Sequence, residues 1–285
     1  MWGYFVLKQN FKKLLLFVVI YIFFNSINAQ GTEAFPASAY LRVKNEINTI
    51  EACLNSIDGV FDRIVIIHSN EKDDGSVAFM NAWCEKRPSC EIHEYPHAVI
   101  PSHDKRYKGS VPYENTLAAY NQFGLQFFKP NEWVVKIDAD QVYLTNRLKE
   151  FVEMMKKAEN DNKHFSLKGY NTFSHNGVLV KYKLGPFNGE NGDSYAIQRK
   201  NFSHFQQKKY FEYVVFNKKM KNNIHSQPVW FHFMKTLKGN GVIKNNDEAK
   251  ESEILFLSVE EKVLFNTHIR PLLKNSPYYH LKLER

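Results

Sequence analysis

Two short runs constrain this chain more than any other feature: Arg63-Ile64-Val65-Ile66-Ile67-His68 and Trp133-Val134-Val135-Lys136-Ile137. Each is short for a helix and too continuously apolar for a sheet with one wet face. Both read as strands buried on two sides, the condition of a parallel sheet covered by helices. Residues 39–46 alternate apolar and polar positions before ending in a polar cluster, which predicts another strand. A helix follows, capped by Asn48 or Thr49, with Ile50, Cys53, Leu54 and Ile57 on one face. The polar turn 69–76 leads into a helical stretch at 77–86, residues 91–95 predict a third strand, and 113–128 have helical spacing. Strand and helix alternating in this order predict an α/β layer with right-handed crossovers.

Beyond the second run the pattern is mixed. A helix is expected over 144–160, strands over 165–170, 178–182 and 194–198, and a helix over 259–266, while 97–111 read as a polar loop. No internal repeat is visible. At 285 residues and 44% apolar content the chain can bury one sizeable core. Trp83, Tyr113 and Tyr120 are read as packing residues.

The net charge of +8 favours an anionic partner, whether a nucleotide, an acidic glycan or an anionic lipid surface. Nucleic acid is not expected, because the basic residues are scattered and no nucleic-acid-binding signature occurs. Cys53, Cys84 and Cys90 are too few for a disulfide framework and are read as thiols, with a Cys84 to Cys90 bridge as the alternative. His97, His103 and His175 lack the spacing of a zinc site.

The amino terminus carries Lys8, Lys12 and Lys13 before an unbroken apolar run of 11 residues from Leu14 to Phe24. That is short of the ~20 residues a helix needs to cross a bilayer. Residues 1–30 are therefore expected to be a signal-like or membrane-anchoring segment: a cleaved signal, a short anchor, or an interfacial segment held by apolar burial and lysine attraction to lipid. The expected location is at a membrane, on the cytoplasmic face of the inner membrane, with export as the alternative.

The run at 133–137 delivers Asp138-Ala139-Asp140 at its carboxyl end. Carboxylates two residues apart on a strand point the same way, and they repel unless a cation or strong donors satisfy them. A hard divalent ion, Mg²⁺ or Mn²⁺, suits such oxygen ligands and also binds diphosphate. In open α/β sheets ligands sit beyond the carboxyl ends of the strands, so the clusters 42–46, 70–76 and 138–140 are expected to converge on one crevice.

With these pieces in place the chain resembles the bacterial β-1,4-N-acetylgalactosaminyltransferase family that acts on lipooligosaccharide. The resemblance rests on residues 39–46, the turn Asp74-Gly75-Ser76, Tyr95-Pro96-His97 and residues 132–140. It implies a GT-A nucleotide-sugar-binding fold with a mostly parallel central sheet flanked by helices, a UDP-N-acetylgalactosamine donor, a glycan or glycolipid acceptor, and metal-dependent inversion. It implies one domain over 31–285, nucleotide-binding in 31–145 and acceptor-binding and catalytic in 146–285. It places Arg42, Asn45 and Glu46 near the nucleotide and assigns Asp138 and Asp140 to the ribose and the metal-bound diphosphate. Where related transferases carry acidic residues after the second strand, this chain has His68, Ser69 and Asn70, so Asn70 or Asp74 is expected to read the base.

In the second half, Gly189-Glu190-Asn191-Gly192-Asp193 is an acidic loop of the kind that supplies the base in such enzymes. The acceptor hydroxyl must lose a proton as it attacks, and Asp193 is preferred to Glu190 because Gly192 permits a tight turn just before a strand. His232 resembles the late histidine that completes metal or diphosphate binding, and Lys235 or Lys238 would neutralise the leaving UDP.

Plainer readings stand beside these. The acidic triplet could be a solvated turn, Asp193 a turn cap, His232 a buried hydrogen-bonded histidine, and Arg42 and Glu46 partners of each other. Rival functions are a GT-A transferase with another UDP-sugar, a non-catalytic glycan-binding protein, and a nucleotidyltransferase, which would usually need a Gly-rich phosphate loop that is absent here.

Overall fold

The structure, a computed structural model, describes residues 35–283 except 70, 72, 101–110, 159–161, 183–193, 209–211 and 234–253. Four strands lie parallel in the order β3-β2-β1-β4: β1 Ala37–Val43, β2 Arg63–Ser69, β3 Cys90–Tyr95 and β4 Trp133–Asp138. Beyond β4 the sheet becomes mixed. β8 (Tyr195–Gln198) runs antiparallel to β4, then β6 (Lys163–His175), β7 (Val178–Tyr182) and β12 (Ile254–Phe256) follow, each antiparallel to the last. β11 (Lys221–Phe233) lies parallel to β6 and antiparallel to the short β5 (Gln141–Tyr143). A separate hairpin joins β9 (Phe202–Gln207) and β10 (Glu212–Phe216).

Period-two alternation explains how β1 serves two layers. Ala37, Ala39, Leu41 and Val43 belong to one apolar cluster with Ile50, Cys53, Leu54 and Ile57 of α1 (Ile50–Ile57). Tyr40 points the other way, into a cluster with Val65, Ile67 and Ala118, Ala119 and Tyr120 of α3 (Leu117–Gly124). Helix α2 (Ser76–Cys84) covers the first face with α1, and α4 (Thr145–Lys156) buries Leu148, Phe151, Val152 and Met155. Gly124 is required where α3 meets Tyr40, since a Cβ there would stand 2.3 Å from the phenol oxygen. A third cluster brings Phe265, Ile269 and Leu273 from the carboxyl-terminal segment onto Ala52 of α1 and Phe231 and Phe233 of β11.

Several readings are revised. Cys84 and Cys90 form a disulfide, because the turn after α2 returns the chain to the start of β3 with the two Cα atoms 5.2 Å apart; Cys53 is a buried thiol. Tyr113 is 55% exposed and packs nothing of the core, whereas Trp83 and Tyr120 are buried. The helix expected over 113–128 is broken into a 3-10 turn, α3 and a second 3-10 turn. The strand expected at 165–170 extends over 13 residues, and β9, β10 and β11 carried no readable signal. The tail helix α5 (Val259–Leu264) begins with a capping box from Ser258 and Glu261 and passes into a wider turn at Phe265. Among the described residues no helix is long and apolar enough to cross a membrane; residues 1–30, read as signal or anchor, lie outside them.

Candidate active site at the carboxyl ends of the strands

The parallel strands deliver their polar endings to one rim. After β1 the chain turns at Asn45, whose φ of 56° lies in the left-handed region that Asn tolerates through local hydrogen bonding. Asp74 ties this turn to the one after β2: its carboxylate accepts from Ile47 N at 3.1 Å and from Ser76 N at 3.2 Å. Ser76 Oγ accepts from Glu46 N at 2.9 Å. Asp73 accepts from Gly75 N at 2.9 Å and Val77 N at 3.2 Å, satisfying early donors of α2. Between the two turns lies a small cleft whose lining includes Val43, Asn45, His68, Ser69, Asp73 and Ser76. Asp74 thus sits behind the cleft as a clamp on two backbones, and Asp73 lines it.

Asp138 and Asp140, two residues apart, have different surroundings. The Asp138 carboxylate accepts from Arg42 Nη2 at 3.0 Å and from Lys136 Nζ at 2.8 Å. Arg42 also donates to Glu212 Oε1 at 3.0 Å and to Asn121 Oδ1, and Asn121 Nδ2 donates to the same Glu212 oxygen at 3.0 Å. The result is a largely buried row of alternating charges, Glu212, Arg42, Asp138 and Lys136, drawn from β10, β1 and β4. Burial alone would raise the Asp138 carboxyl, but the Lys136 and Arg42 cations outweigh it and hold it at about 2. Glu212 is likewise held below the usual carboxylate range, burial being outweighed by Arg42 and Lys136. Arg42 is therefore partnered across the strands rather than with Glu46, whose carboxylate accepts from Thr49 Oγ1 at 3.4 Å.

Asp140 faces His232 instead. Its Oδ2 lies 2.9 Å from Nε2, and His232 Nδ1 lies 3.0 Å from Asn171 Oδ1. β5 and β11 are paired with His232 opposite Gln141, which fixes this meeting across 92 residues of chain. When Nδ1 donates to Asn171, Nε2 turns its lone pair toward Asp140, the arrangement by which an outer partner sets a metal-binding tautomer. Two ligands at about 2.1 Å on adjacent corners of an octahedron stand about 3.0 Å apart, so the pair fits a hard divalent ion. Among the described residues no group of three or more His, Cys, Asp or Glu side chains is so arranged. Tyr278, on the 3-10 turn Pro277–His280, stacks near Phe233 with ring centroids 4.9 Å apart; burial, then Asp140 and Glu46, push its phenol up to about 12.

The structure thus brings together Arg42, Asn45, Glu46, Asp74, Asp138, Asp140 and His232. Asn70, Glu190, Asp193, Lys235 and Lys238 lie outside the described residues. Glu212, Asn121, Asn171 and Tyr278 were not foreseen, since nothing local distinguishes them. Lys136 could have been, because a lysine inside an apolar strand needs a buried anion.

A search of curated proteins finds no match. Among solved structures, the S. aureus TarS fragment 1–349 has a TM-score of 0.44 at 10% identity, covering 70% of this chain and 60% of its own. The M. tuberculosis glucosyl-3-phosphoglycerate synthase, in complex with Mn²⁺ and UDP-glucose, has a TM-score of 0.35 at 15% identity, covering 59% and 58%. This chain therefore spans about 60% of the length of the solved chains it resembles. The sheet, parallel over β3-β2-β1-β4 and mixed beyond β4, with helices on both faces, agrees with the GT-A architecture that the resemblance implies. The family profile described as beta-1,4-N-acetylgalactosaminyltransferase (CgtA) matches residues 21–249, most of the sequence, and the chain belongs to that family.

Proposed function

We propose that this chain is a metal-dependent, inverting glycosyltransferase that moves N-acetylgalactosamine from UDP-N-acetylgalactosamine to a hydroxyl of a cell-surface glycan or lipooligosaccharide. The observation that carries the reading is the Asp140–His232 pair, 2.9 Å apart and backed by Asn171, just beyond the carboxyl end of β4. Family membership supports the amino sugar as the donor's transferred group.

Asp140 and His232 would hold Mn²⁺ or Mg²⁺, which when bound supplies positive charge to the donor diphosphate. Arg42 and Lys136 fix Asp138 as a charged acceptor, able to take a ribose hydroxyl. Val43, Asn45, Ser69 and Asp73 form the walls against which the base is read. The acceptor oxygen attacks the anomeric carbon as the bond to the diphosphate oxygen breaks, and its proton passes to a carboxylate, Asp193 or else Glu190. Lys235 would meet the departing UDP.

The test is transfer and donor hydrolysis by the purified chain with a panel of UDP-sugars, with and without Mn²⁺. Asp140→Asn and His232→Gln should each lose metal-dependent turnover, and chelation should abolish it in the parent chain. Undiminished transfer by Asp140→Asn in chelator would remove the metal from the reading. Asp193→Asn should slow turnover by roughly 10²–10⁴-fold with donor affinity little changed, because a general base acts in the transition state. If that variant is unaffected and Glu190→Gln is inactive, the base is Glu190.

A further inference from the structure

We propose that the amino-terminal end of the parallel sheet, opposite the candidate active site, docks on an anionic phospholipid surface. Residues 194–233 hold seven Lys and Arg against a single acidic residue, Glu212, in a chain whose whole net charge is +8. Glu212 is turned inward onto Arg42, so it does not offset these cations at the surface.

The fold gathers the cations at one end. Lys200 N donates to Pro130 O at 2.9 Å, beside Lys129 and just ahead of β4. Asn217 N donates to Asn201 O at 3.0 Å, which brings the turn carrying Lys218 and Lys219 to Lys200. Lys221 N donates to Asn162 O at 2.7 Å, and Lys221 stands in parallel register beside Lys163. Phe165 of β6 and Val135 of β4 both pair with Ala196, so the starts of β6 and β11 are level with the start of β4. Lys129, Lys200, Lys218, Lys219 and Lys221 are exposed. Like charges side by side on paired strands destabilise a sheet, and an external anion would relieve that cost. The acidic groups described at this end are paired: Asp62 and Glu153 with Lys156 at 2.9 and 3.8 Å, and Glu132 and Glu91 with Arg63 at 3.0 and 2.6 Å.

A lipid surface fits this patch better than a soluble anion. The chain enters the domain at Phe35, whose ring centroid lies 5.6 Å from Lys200 Nζ. The sequence preceding Phe35 contains the apolar run Leu14 to Phe24, 11 residues long. One short apolar element gives marginal, reversible membrane binding, and stable attachment takes a second signal such as a basic surface. Docked this way, the protein would hold the carboxyl ends of its strands about 20 Å from the headgroups, from the rise of six or seven extended residues. An acceptor hydroxyl would then be met above the lipid rather than at it.

The test uses the full chain with vesicles of phosphatidylcholine alone and of equimolar phosphatidylcholine and phosphatidylglycerol. The ratio of the two partition coefficients cancels any apolar contribution shared by both. The parent chain should favour anionic vesicles, and high salt should remove the preference. Replacing Lys218, Lys219 and Lys221 together by Gln should lower the ratio by about fivefold per lysine, about a hundredfold in all. Replacing Lys149, Lys274 and Lys282 by Gln removes the same charge elsewhere and should leave the ratio as it was. Should the first variant misfold, Lys129→Gln with Lys200→Gln probes the same face. Equal partition of the parent chain between the two vesicle types, or equal losses in both triple variants, would overturn the proposal. So would retention by a soluble acidic polysaccharide through these lysines without vesicle binding, which would make the partner a glycan.

Discussion

Asp138 and Asp140 look interchangeable in the sequence, and the structure assigns them different work. Asp138 neutralises two cations inside the protein, while Asp140 faces a histidine at the rim. Asp138→Asn takes a charged partner from both Arg42 and Lys136, and breaking a buried pair costs about 3 kcal/mol or more. Asp140→Asn removes a single rim contact and should cost about 1 kcal/mol. Urea unfolding of the two variants checks the contrast; equal stability losses would contradict it. The pH dependence has the same origin. Unfolded carboxyls titrate near 4, whereas Asp138 is held at about 2 and Glu212 is depressed as well. Between those limits the unfolded chain binds more protons, so this stability is present above about pH 4 and is lost as pH falls toward about 2. In Asp138→Asn the loss of stability with acidification should be shallower over that window, as measured by urea midpoints at a series of pH values. The acidic triplet was legible, because two carboxylates after an apolar strand need an explanation. The identity of Asp138's partners was not, because Glu212 reaches Arg42 across 170 residues of intervening chain.

At the scale of elements, legibility follows burial. β1, β2 and β4 are buried on both faces and stood out; their ends and those of α1 fall within a few residues of where periodicity put them. β11 was missed because its first half is largely exposed and carries polar residues, while only Val229, Trp230, Phe231 and Phe233 are buried. Its register against β6 shifts on both sides of Pro228, which has no N–H to give the ladder. The shift sets Trp230 opposite Gly169, where a Cβ would fall 1.9 Å from the indole. Gly169→Ala therefore forces Trp230 aside in a strand pair that also carries His232. A loss of about 1–3 kcal/mol is expected from overpacking, together with weakened metal dependence as His232 moves from Asp140. Denaturant unfolding and a Mn²⁺ titration of turnover measure the two effects; a neutral result in both would mean the strands separate without consequence.

For the whole molecule, the question is which part of the chain carries the fold. The three apolar clusters are built from residues between Phe35 and Leu283, and residues from Phe35 onward form one compact unit. Within it the last described residues matter as much as the first: Leu273 and Leu283 pack with Ala52 of α1, and Asn275 Nδ2 donates to Glu51 at 2.9 Å. The entry to β1 is secured inside the same unit, since Ala37 N donates to Asp62 Oδ2 at 2.8 Å and Trp133 N donates to Pro36 O at 2.8 Å. None of these bonds calls on residues 1–34. A chain beginning at Phe35 should therefore fold and unfold cooperatively, keep its circular dichroism spectrum, and turn over a soluble acceptor at the parent rate. Its vesicle binding should fall, because one of the two membrane signals is gone, yet the preference for anionic over neutral vesicles should survive, because the lysine face is intact. Loss of cooperative unfolding on that truncation would show that the apolar run completes the core, and loss of the anionic preference alone would place the lipid-binding charge in Lys8, Lys12 and Lys13 rather than on the sheet.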